Sequence, residues 1–146
     1  MNKQVAIIDY GLGNILSAQQ SFIKVAQENK FEANIIITDK PEEVNNSTHI
    51  VLPGQGAFES CMQGLVKIPG MIKQLTNSVI NEKKPFLGIC VGMQLLANIS
   101  YENGKHKGLG WIDGEIKKLP TNGLKLPHMG WNQVKTRVSE KNLINL

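Results

Sequence analysis

The chain has 146 residues, 41% of them hydrophobic and 19% charged, with a net charge of +4. This length fits a single domain with its own core, and we expect one domain over residues 1–146. No apolar stretch is long enough to cross a bilayer, and the opening apolar run is too short for the core of a signal peptide. The basic residues are scattered, so neither a nucleic acid nor a membrane is predicted as a partner. The two cysteines lie in different predicted elements, which favours a reducing cytoplasm over a disulfide framework.

Short apolar runs alternate with segments of helical periodicity along the first hundred residues. The runs predict strands at 5–8, 33–37, 49–52 and 86–89, and the periodic segments predict helices at 14–30, 58–66, 71–80 and from Met93 through Ile99. Such alternation is typical of right-handed crossovers, so we predict an α/β fold of three layers with a mostly parallel sheet flanked by helices. After about residue 100 glycine is frequent, and we expect an irregular, partly antiparallel part with strands at 111–119 and 126–137.

The sequence around Cys90 carries the strongest chemical signal. Gly88-Ile89-Cys90-Val91-Gly92 has the form G-x-C-x-G at a predicted strand-to-helix junction, the thiol counterpart of the nucleophile elbow. Glycines on both sides permit the sharp turn and the close packing of the helix, and they leave the cysteine side chain pointing into a cleft. We predict that Cys90 is a nucleophile rather than a buried apolar side chain. Cys61 lies in a helical pattern with Phe58 and Leu65 and is predicted to be core or inert.

Two glycine-rich turns are expected to lie near Cys90, because ligands of open α/β sheets bind beyond the carboxyl ends of the strands. These turns are Gly11-Leu12-Gly13-Asn14 and Pro53-Gly54-Gln55-Gly56. The second could supply one donor of an oxyanion hole, and the N–H of Val91 could supply another.

A dinucleotide site and a metal site have little support. A G-x-G-x-x-G fingerprint beginning at Gly11 would need glycine at position 16, which is Leu16. The histidines His49, His106 and His128 show no ligand spacing with one another or with carboxylates, so no metal is predicted.

Four blocks occur in an order that resembles one enzyme family. They are Asp9-Tyr10-Gly11-Leu12-Gly13-Asn14 followed by Ser17, Leu52-Pro53-Gly54-Gln55-Gly56-Ala57-Phe58, Gly88-Ile89-Cys90-Val91-Gly92-Met93-Gln94-Leu95-Leu96 and Pro127-His128-Met129-Gly130-Trp131-Asn132. Together they resemble the glutaminase subunit of imidazole glycerol phosphate synthase, a class I glutamine amidotransferase of histidine biosynthesis with a flavodoxin-like fold. The Cys90 block alone would indicate only the wider class. The first and last blocks narrow the resemblance to this subunit.

The resemblance implies a role for each matching position. Cys90 would attack the carboxamide of glutamine to give a glutamyl thioester and ammonia. Gly54, Gly56 and Val91 would form the oxyanion hole and line the glutamine site, and Gln94 would contact the substrate.

The resemblance also implies a partner. Trp131 and Asn132 would contact a cyclase subunit, a (β/α)₈ barrel that receives the ammonia and uses it to make imidazole glycerol phosphate and an aminoimidazole carboxamide ribotide. The protein would therefore work as a heterodimer, and no cofactor is implied.

Two departures from the family pattern are visible. Gln55 stands where a small apolar residue is common, and the late segment that carries the family's catalytic His and Glu has no match in this chain. A thiol nucleophile needs a base, and the base needs an orienting acid. His128 belongs to another block and is not expected to serve as the base. We therefore expect a C-terminally truncated domain that has negligible glutaminase activity and an exposed sheet edge.

Alternative functions follow from the same residues. The chain could be a non-catalytic pseudo-glutaminase that only docks on the cyclase, or a flavodoxin-like protein that uses Cys90 in redox or stress chemistry. The intact glycines around Cys90 favour a fragment of a working enzyme over the first alternative. The Pro127 to Asn132 block counts against the second, because redox chemistry gives no reason for it.

Overall fold

The computed structural model describes residues 3–127, 129–133 and 135. Its main sheet has four parallel strands in the order β2-β1-β3-β4. The strands are β1 Lys3–Ile8, β2 Ala33–Thr38, β3 His49–Gly54 and β4 Phe86–Cys90. The helices are α1 Ile15–Glu28, α2 Pro41–Asn46, α3 Phe58–Lys67, α4 Met71–Thr76 and α5 Val91–Gln94, and α4 continues as a π-helical turn over Asn77–Asn81. The predicted α/β fold with a parallel sheet flanked by helices is confirmed.

Both faces of the sheet carry apolar side chains. Ala6 and Ile8 of β1 point into a large core that also takes in Phe58 of α3 and Leu75 of α4. The alternate residues of β1 point to the opposite face, where α1 covers them through Ile15, Ala18 and Phe22. Because successive side chains of a strand alternate between faces, a strand buried on both sides reads as an unbroken apolar run.

The four strands predicted in the first ninety residues and the first helix agree with the structure to within a few residues. Helix α1 begins one residue after Asn14, whose side-chain oxygen accepts a hydrogen bond from the N–H of Ser17 at 3.3 Å. Asparagine is a favoured N-cap because it satisfies one of the backbone N–H groups that lack a partner in the first turn. Helix α2 was not predicted. It begins at Pro41, where a fixed φ suits the first helical position and no N–H is needed.

The prediction of a helix from Met93 through Ile99 was wrong. Helix α5 ends at Gln94, and Ile99 begins a short strand, β5 Ile99–Ser100. The carbonyls of Leu95, Leu96 and Ala97 accept hydrogen bonds from backbone N–H groups of residues 109–112. These tertiary bonds replace the helical ones that the same carbonyls would otherwise make.

The predicted irregular, partly antiparallel part centres on a second small sheet, β6-β5-β7. Strand β6 His106–Lys107 pairs antiparallel with β5, and β7 Glu115–Ile116 pairs parallel with it. The strand predicted at 111–119 is thus reduced to two paired residues. The strand predicted at 126–137 is wrong where the structure describes it, because residues 126, 127, 129–133 and 135 form no strand. His128, Val134 and Arg137 lie outside the described residues.

Among the helices in the described part of the chain, none is long and apolar enough to cross a membrane.

Candidate functional site

Cys90 lies at the junction between β4 and α5 in a backbone conformation that is rare for a residue with a side chain. Its φ is +55° and its ψ is −118°, and it is the N-cap of α5. A non-glycine residue held in such a region costs about 1–3 kcal/mol, which the surrounding structure must supply. The side chain is exposed, whereas Cys61, the other cysteine, is fully buried in the core. The predicted distinction between the two cysteines is confirmed in their burial.

The glycines on either side of Cys90 are required by close backbone packing. A Cβ on Gly92 would overlap the carbonyl of Leu52 in β3, and a Cβ on Gly88 would lie 2.7 Å from Cα of Met93. Side-chain-free residues at both positions let α5 pack back against β4 and β3 directly after the turn. The elbow at Cys90 therefore depends on the neighbouring strand as well as on the local sequence.

The Pro53 to Gly56 turn continues β3 and lies beside the elbow. Gly54 pairs with Cys90 in the parallel register of β3 and β4. A Cβ on Gly54 would overlap the backbone N of Gly92 and lie 2.9 Å from the hydroxyl oxygen of Tyr10. Gly56 is exposed and has a φ of +94°, which glycine adopts without strain. The two glycines thus serve different purposes, close approach at Gly54 and backbone conformation at Gly56.

Cys90 faces a cavity of about 540 Å³ at the carboxyl ends of the parallel strands. Its walls come from three segments that are far apart in the sequence. The lining residues are Asn14, Ser17, Ala18, Ser21, Phe22, Pro53, Gly54, Gln55, Ile89 and Cys90. Residues of all three turns that were expected to meet at the carboxyl ends of the strands therefore line one cavity, namely Asn14, Gly54 and Cys90. No histidine or carboxylate is among these lining residues of the described chain, so the site as described offers Cys90 no general base.

Gln94, which the resemblance places against the substrate, lines a different cavity of about 380 Å³. Its other lining residues lie in or next to the small sheet, and they are Tyr101, Glu102, Asn103, Ile116, Lys117 and Lys118. Charged side chains line this cavity, whereas the residues around Cys90 are polar or apolar but uncharged. Lys117 of this cavity forms an ion pair with Glu115 of β7, and both side chains are exposed. Hydrogen bonding to Lys117 lowers the pKa of the Glu115 carboxyl, and the same contact raises the pKa of the Lys117 ammonium.

Glu102 was not singled out from the sequence. Its carboxylate oxygen accepts a hydrogen bond from the N–H of Phe58 at 2.7 Å, at the first residue of α3. Its own N–H donates to the hydroxyl of Ser100, which is fully buried. Glu102 thus ties the small sheet to the helix that follows the Pro53 to Gly56 turn. The two partners are separated by 44 positions, so no local sequence pattern could have indicated this contact.

The predicted partner residues lie on the surface. Trp131 is fully exposed, and Asn132 and Met129 are exposed as well. Large apolar side chains on a surface are typical of contact sites when they occur together. In the described residues, no three or more His, Cys, Asp or Glu side chains are grouped so that they could hold a metal ion.

The parallel sheet carries an exposed cysteine on a strained strand-to-helix turn whose glycines pack closely against neighbouring backbone. These features define the class of α/β proteins built around a thiol nucleophile elbow. The comparison with protein families gives the narrower assignment: the model of the class-I glutamine amidotransferase family matches residues 6–144. The chain belongs to this family.

Curated relatives share a more specific name, "Imidazole glycerol phosphate synthase subunit HisH". The one from Zymomonas mobilis is 48% identical over 134 residues, which cover 89% of this chain and 61% of the relative. The relative from Pelagibacter ubique is 44% identical over 132 residues, which cover 89% of this chain and 62% of the relative. That from Rhodospirillum rubrum is 46% identical, with 90% and 62% covered. The chain therefore spans a little over three fifths of the length of these relatives.

Proposed function

We propose that this chain is the nucleophile-bearing part of a glutaminase that hydrolyses glutamine to glutamate and ammonia, as a subunit of imidazole glycerol phosphate synthase in histidine biosynthesis. The observation that carries the proposal is the elbow at Cys90, exposed in a cavity whose wall includes the Pro53 to Gly56 turn. Membership of the amidotransferase family and the names of the relatives support the same reaction.

In the proposed reaction the Cys90 sulfur attacks the carboxamide carbon of glutamine. The carbonyl oxygen becomes negatively charged in the tetrahedral intermediate. The thiol proton passes through a general base to the amide nitrogen, and the C–N bond then breaks to release ammonia and leave a glutamyl thioester. Water attacks the thioester, which releases glutamate and restores the thiol. The N–H of Val91 and N–H groups of the Gly54 to Gly56 turn would stabilise the oxyanion, because backbone donors that are already in position need no reorganisation.

The base for this reaction would come from outside the described lining of the cavity. The lining residues include no histidine or carboxylate within the part of the chain that the structure describes. We propose that the 146 residues by themselves have negligible glutaminase turnover, because efficient turnover needs a group that takes the thiol proton and delivers it to the departing nitrogen.

Substrate and partner contacts complete the proposal. Gln94 would contact the substrate, as the resemblance implies, although it lines a different cavity from Cys90. Trp131 and Asn132 would contact a cyclase subunit, a (β/α)₈ barrel that takes up the ammonia. Full exposure of Trp131 supports a contact role, because an indole left in water is typical of binding surfaces.

Labelling with a chloroketone analogue of glutamine tests the nucleophile without requiring a base. The Cys90 sulfur would displace chloride and form a thioether, and the thiol proton would pass to solvent. We expect peptide mass spectrometry to find the label on Cys90 and not on buried Cys61, with protection by glutamine but not by asparagine. The Cys90→Ser variant is the matched control. Labelling that glutamine does not reduce would contradict the proposed glutamine site.

The docking-only alternative has one observation in its favour, the cavity lining without a base. Glutamine protection would count against it, since a protein that only docks has no need of a glutamine site. Binding to the cyclase subunit, measured for the 146-residue chain and for Trp131→Ala, tests the contact separately. Steady glutamate release by the unmodified chain would instead show that a base exists within it.

A further inference from the structure

A buried tyrosine and a buried cysteine lie behind the Pro53 to Gly56 turn, on the side away from the cavity. The Tyr10 hydroxyl donates a hydrogen bond to the carbonyl of Pro53 at 2.5 Å. The Cys61 thiol donates to the carbonyl of Gln55 at 3.5 Å. Tyr10 is only 6% exposed and Cys61 is not exposed at all, so neither side chain can contact a ligand in the cavity.

These two bonds determine which way the peptides of the turn point. In a trans peptide the C=O and the following N–H point in opposite directions. A carbonyl of Pro53 that points toward Tyr10 therefore directs the N–H of Gly54 away from Tyr10. The carbonyl of Gln55, held by Cys61, directs the N–H of Gly56 away from α3 in the same manner.

Tyr10 is itself fixed by two glycines. A Cβ on Gly64 of α3 would lie 2.8 Å from both Cδ2 and the carbonyl oxygen of Tyr10, and a Cβ on Gly54 would lie 2.9 Å from its hydroxyl oxygen. The same Cβ on Gly54 would also overlap the backbone N of Gly92 and lie 3.0 Å from the carbonyl carbon of Val91. The tyrosine ring thus packs against α3, and its hydroxyl and the elbow that carries Cys90 both lie close to Gly54.

We infer that Tyr10 and Cys61 are positioning residues that hold the backbone of the Pro53 to Gly56 turn in the orientation needed for an oxyanion hole opposite Cys90. The inference about the turn rests on the hydrogen bonds and the packing, and its catalytic meaning rests on the proposed glutaminase function. Burial also raises the pKa of Tyr10 far above its ordinary value, so the phenol remains protonated and able to donate.

Two variants of the full chain remove the bonds one at a time. Tyr10→Phe keeps the ring between the glycines but leaves the Pro53 carbonyl without its donor. Cys61→Ala removes the thiol, and Cys61→Ser restores a donor at the same position. Val44→Ala, at an equally buried core position on α2, controls for general loss of stability.

The first readout is hydrogen exchange of the amides of residues 54–56, followed by mass spectrometry. Loss of a buried hydrogen bond is expected to speed exchange about tenfold in Tyr10→Phe. Cys61→Ala should show a smaller increase because a thiol is a weak donor, and Cys61→Ser should reverse it. Exchange in Tyr10→Phe equal to that of Val44→Ala would overturn the inference.

The second readout compares two reagents at Cys90. The chloroketone analogue of glutamine places an oxygen at the oxyanion position, whereas iodoacetamide needs only an exposed thiol. We expect the chloroketone rate to fall about tenfold in Tyr10→Phe, in proportion to the lost hydrogen bond, with the iodoacetamide rate unchanged. Equal losses with both reagents would overturn the inference. Faster exchange of the turn in Tyr10→Phe would support the positioning role even if glutamine did not protect Cys90 of the unmodified chain. That lack of protection would contradict the proposed function.

Discussion

The elbow at Cys90 and the segment that follows it use glycine in the same manner but are organised by different contacts. In the elbow, Gly92 packs against the carbonyl of Leu52, and the partner is a strand of the main sheet. In the following segment, Gly108 packs against the carbonyls of Leu95 and Ala97, and the partner is an irregular stretch of chain. The elbow packs against a regular sheet and has the form that the sequence predicts. The segment after Gln94 packs against an irregular stretch and does not form the helix predicted through Ile99.

The largest expected effect comes from adding one methyl group to the elbow. In Gly92→Ala the new Cβ on α5 overlaps the carbonyl of Leu52 in β3, and β3 cannot move without breaking its pairing with β1 and β4. We expect the free energy of unfolding to fall by more than about 2 kcal/mol. Urea denaturation measures the change. Gly114→Ala is the matched control, because a Cβ at Gly114 meets nothing within 4 Å. Equal stability of the two variants would contradict the packing described for the elbow.

The same substitution in the following segment sharpens the comparison. In Gly108→Ala the Cβ overlaps the Ala97 carbonyl and would lie 2.8 Å from the carbonyl of Leu95. The irregular backbone on both sides can shift, so we expect a loss of about 1–2 kcal/mol, less than in Gly92→Ala. The measurement is again urea denaturation, with Gly130→Ala as the control, since a Cβ there meets nothing within 4 Å. A loss that equals or exceeds that of Gly92→Ala would mean that the irregular segment is as rigid as the sheet.

The smallest expected effect concerns the contact that ties the following segment to α3. Glu102→Ala removes the acceptor for the N–H of Phe58, and the loss of such a helix cap typically costs about 1 kcal/mol. Glu102→Gln retains an acceptor and should lose less. Thermal unfolding checks both, with exposed Glu32→Ala as the control. If Gln and Ala at position 102 prove equally destabilising, the charge rather than the hydrogen bond anchors α3.

The Cys90 site could be predicted from a few residues because each signal was local. Glycines two positions before and after a cysteine, with a preceding apolar run, indicate a strand, a sharp turn and a helix within one short window. The parallel order of the strands then brought the turns at Asn14 and Gly54 to the same cavity. Neither step required knowledge of distant contacts.

Helix α5 shows why the remainder could not be predicted. The apolar spacing from Met93 through Ile99 satisfies a helical pattern, yet the carbonyls of residues 95–97 bond to a segment more than ten positions later. The cap that Glu102 provides to α3 and the bond from Tyr10 to Pro53 also span more than forty positions. Periodicity measures only which side chains share a face, and it says nothing of where a backbone carbonyl finds its donor.

By itself, the sequence determined the parallel α/β architecture and the elbow at Cys90, because apolar periodicity and glycine spacing act within a few residues of chain. Its four motif blocks carried the resemblance to a glutaminase subunit. Only the tertiary structure decided that α5 ends at Gln94, that Gln94 lines a different cavity from Cys90, and that Tyr10 and Cys61 hold the turn beside the nucleophile. These features depend on hydrogen bonds and close packing between segments that the chain brings together only when it folds.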